Sequence, residues 1–296
     1  MKSLYVWTQD GLRLQAMQYP SENKQVCILF IHGMSGNFME NYYADVVGNK
    51  LQENNIGFIY SHNCGYNHIN DVATKEITKD NGNKTIRIGA AYEKFEDSFF
   101  DIDGWMTKTI ELGYKKIVLA GHSLGSNKVI NYFYSKESNH ISGVILLSPP
   151  DMVANGKESG RSAVYEKQLK EAQKNVSEGN PKKLLSDKLW NWYNLSSETF
   201  LNMFVDRCPA DNLPIMRNPE EFPELASINV PILSIMGEHD DIAVRTLQDD
   251  MDLIEKRATG TKSFTKKFIA GANHGYENRE NELAEVILNW VKSFNQ

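Results

Sequence analysis

Residues 116–125 read Lys-Ile-Val-Leu-Ala-Gly-His-Ser-Leu-Gly, an apolar run that leads straight into Gly-x-Ser-x-Gly. At a strand-to-helix turn of this type the serine takes a strained backbone conformation and its hydroxyl stands out at the sheet edge. Gly121 and Gly125 suit such a turn, because a Cβ at either would crowd the neighbouring strand and helix. Ile117, Val118, Leu119 and Ala120 form a short buried-strand run, and Val129, Ile130 and Phe133 recur at helical spacing after the motif. Ser123 is therefore the candidate nucleophile, and the chemistry it suggests is acyl transfer.

A serine hydroxyl is a weak nucleophile near neutrality and needs a base, which in turn needs an orienting acid. Among seven histidines, His274 has the fitting place, in Gly271-Ala272-Asn273-His274-Gly275 after an apolar strand at 266–270. His32 and His122 flank the motifs but come too early, His239 sits among the candidate acids, and His62, His68 and His140 fall in loops with no partner suggested. Acids follow the strand Pro231–Met236 in Gly237-Glu238-His239-Asp240-Asp241. Adjacent Asp240 and Asp241 point different ways, so only one of the three carboxylates here can orient the base. An oxyanion needs two donors. The Leu124 N–H follows the nucleophile directly, and the Met34 N–H lies in His32-Gly33-Met34-Ser35-Gly36, where glycines let the backbone come close.

The elements that must hold these residues alternate. Tyr5–Thr8 and Leu12–Met17 flank the turn signal Asp10-Gly11. Strands are expected at 26–31, 57–61, 116–120, 143–147, 230–236 and 266–270, with helices near 38–54, 97–112, 126–136, 244–257 and 280–294. Gly113 is a helix stop. Such alternation implies an α/β fold with a mostly parallel sheet covered on both faces. Roughly 80 residues separate Ser148-Pro149-Pro150 from Pro231, far beyond the ~10–12 of a plain crossover. The expected division is a core of 1–150 and 226–296 and a helical cap or lid of 151–225. Residues 162–175 read as a polar helix. Trp190 and Trp192 belong to an aromatic stretch that either lines a substrate pocket or packs as core.

Composition narrows the class. The 296 residues carry 32 basic and 38 acidic side chains, a net charge of −6, which argues against a nucleic-acid partner. Three scattered cysteines (Cys27, Cys64, Cys208) make neither a disulfide framework nor a zinc site. Cys64 has no base placed beside it and reads as inert. Residues 63–68 read as a polar loop over a sheet edge. There is no secretory h-region and no run long enough for a membrane span. The expectation is a cytoplasmic protein that acts on a small-molecule acyl substrate without cofactor or metal; its oligomeric state is not set by the sequence.

The four segments His32–Gly36, Gly121–Gly125, Gly237–Asp240 and Asn273–Gly275 together resemble the α/β-hydrolase superfamily over nearly the whole chain. The order Ser123, Asp240, His274 is the order of that superfamily. The resemblance implies an eight-stranded, mostly parallel sheet with a cap between strands six and seven. It selects Asp240 as the acid and leaves Asp241 as a turn or capping residue. The chain looks most like small capped bacterial ester and thioester hydrolases, with a looser likeness to fungal hydrolases that cleave siderophore esters. What the resemblance implies is a serine hydrolase acting on a carboxylic ester or thioester. Lactone, amide or C–C bond hydrolysis on the same triad, or a non-catalytic hydrolase-like receptor for a small molecule, are the alternatives.

Overall fold

A computed structural model describes residues 1–136, 139–158 and 162–293. The expected last residue of the final helix, 294, and part of the expected cap, 159–161, lie outside the described residues. Strands β1 (Lys2–Trp7) and β2 (Arg13–Tyr19) form the expected hairpin. Next come β3 (Val26–Ile31), α1 (Tyr43–Glu53) and β4 (Gly57–Ser61). An antiparallel pair unforeseen from the sequence, β5 (Asn70–Ile77) and β6 (Asn83–Ile88), follows. The chain continues through α2 (Ser98–Glu111), β7 (Lys116–His122), α3 (Leu124–Ser135) and β8 (Ile141–Leu147). Helices α4 (Met152–Glu158), α5 (Ser162–Ser177), α6 (Ser197–Met203) and α7 (Pro223–Ala226) precede β9 (Ile232–Gly237). The last elements are α8 (Leu247–Arg257), β10 (Phe264–Ile269) and α9 (Glu280–Ser293).

The main sheet has eight strands in the order β1-β2-β4-β3-β7-β8-β9-β10. From β4 to β10 along this order every pairing is parallel, and only β2 is reversed, pairing antiparallel with β1 on one side and β4 on the other. Side chains alternate between two cores, as the pleat requires. Cys27, Leu29 and Ile31 join Ile117, Leu119, Val144 and Leu146 under α2, α3, α7 and α8. Ile28 and Phe30 join Val118, Ala120, Ile145 and Leu147 under α1 and α9. Strands buried on both faces explain why these runs are continuously apolar rather than alternating.

β3 lies between β4 and β7, so the chain leaves β3 toward one edge and later returns on its other side. That is the topological switch point, where the carboxyl ends of two adjacent strands open a crevice. Ile31 pairs with Gly121, so the loops after β3 and β7 start side by side. The connection from β8 to β9, the sixth and seventh strands of the main sheet, carries α4–α7. A third apolar cluster gathers Met152, Val153, Tyr165, Leu185, Leu189, Phe200 and Phe204 around Leu124, the residue after Ser123. This long connection thus packs onto the start of α3.

Candidate active site

Ser123 has φ 55° and ψ −130°, a conformation that L residues adopt only when their surroundings force it. The forcing is visible in three glycines. A Cβ on Gly121 would lie 2.2 Å from the Gly125 carbonyl oxygen, and one on Gly125 would lie 2.2 Å from that of Ile31. A Cβ on Gly33 would lie 2.8 Å from the Cβ of Ser123 and 3.3 Å from the Leu124 nitrogen. The loops after β3 and β7 therefore touch backbone to backbone at the serine.

His274 enters from the turn after β10. Gly271 there has φ 66°, and the Asn273 side chain accepts from the N–H groups of Gly275 and Glu277 at 3.1 Å each. His274 donates from Nδ1 to Asp240 Oδ1 at 2.9 Å. Since a carboxylate only accepts, the proton is on Nδ1 and the Nε2 lone pair is left for a substrate-side proton. Ser123 Oγ makes no hydrogen bond to a described residue, and a nucleophile–base bond commonly tightens only when substrate binds.

The three candidate acids separate cleanly. Asp240 has a fully buried side chain facing His274; its Oδ1 also accepts from the Ile242 N–H, and its Oδ2 from Ser148 Oγ at 2.5 Å. Burial alone would raise its pKa, but the hydrogen bond and charge of His274, with Ser148 and Ile242, hold it below the usual carboxylate range. Glu238 instead accepts from the Gly271 N–H at 2.9 Å, stitching the acid turn to the histidine turn, and Asp241 is exposed. Ser148 and Tyr276 escaped the sequence reading. Tyr276 Oη lies 2.8 Å from Ser148 Oγ and 3.1 Å from the Ile235 carbonyl, so a buried chain of hydroxyls backs the carboxylate. The only sequence hint was position, since Ser148 directly follows β8 and Tyr276 follows His274 by two residues.

His122 proves to be a clamp: Nε2 donates to the His274 carbonyl at 2.8 Å, and the two rings lie 4.8 Å apart. Burial, reinforced by the charge of His274, depresses its pKa to about 3, so it stays neutral. His32 is wholly buried, donating from Nδ1 to the Gly33 carbonyl at 2.7 Å and accepting from the Asn63 N–H at Nε2. That carbonyl and the Met34 N–H belong to one peptide unit, so His32 fixes its plane. Neither the Met34 nor the Leu124 N–H donates to a described residue. Residues 63–68 are no peripheral loop: Asn63 is buried, bonded to His32 and to Lys128 Nζ, and Lys128 pairs with Glu93. Trp190 is half-buried, with its ring against Phe204 and Nε1 donating to the Asn155 carbonyl, whereas Trp192 is 62% exposed. Cys64 is buried among acidic groups and its pKa is pushed well up, as an inert thiol requires. Among the described residues, no group of three or more His, Cys, Asp or Glu is placed to hold a metal ion, and no helix is long and apolar enough to cross a membrane.

A family model described as a protein of unknown function, DUF1749, matches residues 102–296, a span that contains Ser123, Asp240 and His274. The chain belongs to that family. Its fold is shared with Est1E from Butyrivibrio proteoclasticus, seen with ferulic acid bound, at 18% identity and TM-score 0.66 over 98% of each chain. GrgF, an α/β hydrolase from Penicillium sp. sh18, is 13% identical with TM-score 0.65 over 98% of this chain and 96% of that one. The esterase EaEST from Exiguobacterium antarcticum is 15% identical with TM-score 0.58 over 97% of this chain and 98% of that one. The architecture is accordingly the α/β-hydrolase fold. No curated protein matches the sequence.

A fourth histidine lies in the same region. His62 is stacked between Phe38 and Tyr66, each 4.3 Å away and 8° from parallel, and neither ring nitrogen has a described partner. Burial depresses its pKa to about 3. The folded state therefore holds the neutral ring, and unfolding below pH 6.5 lets it take a proton. Its stabilising effect is complete above pH 6.5 and declines as pH falls toward 3, by roughly 2 kcal/mol at pH 5. His62→Phe keeps a ring in the stack and should remove that share of the stability loss between pH 8 and pH 5, measured by urea unfolding. An unchanged loss would show that another group carries the proton uptake.

Proposed function

We propose that this protein is a serine hydrolase that cleaves a carboxylic ester or thioester through an acyl-enzyme intermediate. The observation that carries the reading is the His274–Asp240 hydrogen bond, with the His274 carbonyl bonded to His122, the residue before a serine held at positive φ. Ser123 Oγ attacks the acyl carbonyl while His274 Nε2 takes its proton. The charge that grows on the carbonyl oxygen is met by the Leu124 and Met34 N–H groups, whose fixed orientation needs no reorganisation as the oxyanion forms. Asp240 holds the imidazole in the tautomer that can accept and stabilises it once protonated. His274 then returns the proton to the leaving alcohol or thiol. A water deprotonated by the same nitrogen attacks the acyl-enzyme, and Ser123 leaves with its proton restored.

Residues 151–225 act in this reading as a cap on a core of 1–150 and 226–296, and the packing of their apolar cluster on Leu124 supports that role. The acyl group lies toward that cluster. Its aliphatic and aromatic side chains favour an apolar acyl chain over a charged one, because a charge there would lose hydration without a partner.

Ser123→Ala should lower turnover of a short p-nitrophenyl ester by about 10⁴–10⁶-fold while leaving folding intact. Near-normal turnover would sink the assignment. Asp240→Asn should cost about 10³–10⁴-fold in kcat, because an amide no longer selects the accepting tautomer. Asp241→Asn, at an exposed position, should stay close to the parent enzyme. The reverse ranking would move the acid by one residue.

A further inference from the structure

Among the described residues, the cap meets the loop after β3 at one polar contact. Leu189, Trp190, Asn191 and Trp192 make a tight turn in which the Trp192 N–H donates to the Leu189 carbonyl at 2.8 Å. Trp190 and Asn191 both sit at positive φ, 49° and 62°, the backbone of a type I′ turn formed here without glycine. Two bonds hold the turn and its exit. Trp190 Nε1 reaches the Asn155 carbonyl on α4, and the Leu189 N–H donates to the Tyr193 carbonyl at 2.7 Å.

The turn delivers Tyr193 to the loop that bears Met34. Tyr193 Oη and Ser35 Oγ are 2.5 Å apart, across 158 residues of sequence. His68 supports the tyrosine from the side, with its ring 5.1 Å away and Nε2 donating to the Asn194 carbonyl at 3.0 Å. Ser35 is itself at φ 53°, and its backbone bridges to Tyr66. A serine at positive φ persists only where its neighbours over-determine it. Here Tyr66 grips the backbone of Ser35 and Tyr193 grips its side chain.

We propose that Tyr193 is a positioning residue: by holding Ser35 it acts with His32 to set the direction of the adjoining Met34 N–H, so seating of the cap and oxyanion stabilisation are coupled. The inference rests on the reading of Met34 as an oxyanion donor. It gives the cap a part in the chemical step, distinct from that of a pocket wall. A wall residue changes how substrate and transition state bind alike, and so moves KM. A residue that aims a donor at the oxyanion moves kcat, because the oxyanion exists only in the transition state.

Tyr193→Phe keeps the ring on His68 and deletes the hydroxyl. It should lower kcat on a short p-nitrophenyl ester about 10-fold with less than a twofold change in KM. Inhibition by an alkyl trifluoromethyl ketone, whose serine adduct carries an oxyanion, should weaken by the same factor. Ser35→Ala should reproduce both losses, and the double variant should be no worse than either single one. If Tyr193→Phe loses its native melting transition, Ser35→Ala carries the same test from the other partner. Unchanged kcat and inhibition, a change confined to KM, or losses that multiply in the double variant would overturn the coupling. Ser123→Ala separates the two levels. If that variant is inactive while Tyr193→Phe is unimpaired, only the coupling fails; if it retains turnover, the hydrolase reading fails with it.

Discussion

Where β3 and β7 end, two loops approach so closely that neither tolerates a side chain at the point of contact. Gly125 rests on the Ile31 carbonyl, Gly121 on the carbonyl of Gly125, and Gly33 on Ser123 itself. With no room to relax, Ser123 is forced to positive φ, and the Leu124 N–H that follows it donates to no described residue. The Met34 N–H, the second donor of the proposed mechanism, is one residue beyond the Gly33 contact. In the proposed mechanism, nucleophile and donors therefore derive from one packing constraint, and it is steric. Hydrogen bonds then refine what the contact has already placed.

Polar groups behind the loops keep that contact from slipping. Lys128 lies on the buried face of α3 and is wholly enclosed, paired with an equally enclosed Glu93 and donating to Asn63 Oδ1 at 3.1 Å. Asn63 in turn donates to the His32 carbonyl and ring, and His32 holds the peptide that carries Met34 N–H. Burying an ion pair is costly and contributes little net stability, whereas removing one partner strands a charge at a cost of about 3–5 kcal/mol. The pair thus ties α3, through Asn63 and His32, to the loop after β3. On the other side, His122, Ser148 and Tyr276 restrain His274 and Asp240 with neutral donors and add no competing charge.

How much of this can be read from the sequence follows from the range of each interaction. The strand at Val26–Ile31 and the turn at Gly121–Gly125 are local, set by apolar runs and by glycines adjacent in the chain, and the structure has them at those residues. The grouping of Asp240 with His274 is also legible, because each follows a strand at the same sheet end and neighbouring parallel strands bring those ends together. Ser148, Asn63 and Lys128 were not legible. Their partners lie 92, 31 and 65 residues away, and nothing in local pattern marks such pairings. The β5–β6 pair went unread because its strands are largely exposed and mix charged with apolar residues, so they lack the alternation that marks a half-buried strand. Trp190 and Trp192, alike in sequence, part company because the turn between them sends one ring onto Phe204 and leaves the other in solvent.

The account stands on Ser123 as a nucleophile activated by its surroundings. Intact-mass analysis after brief exposure to a fluorophosphonate, followed by peptide mapping, tests this directly. One adduct per chain, located on Ser123 and abolished by His274→Ala, is the predicted result. Absence of an adduct on the folded protein, or an adduct on another residue, would contradict it.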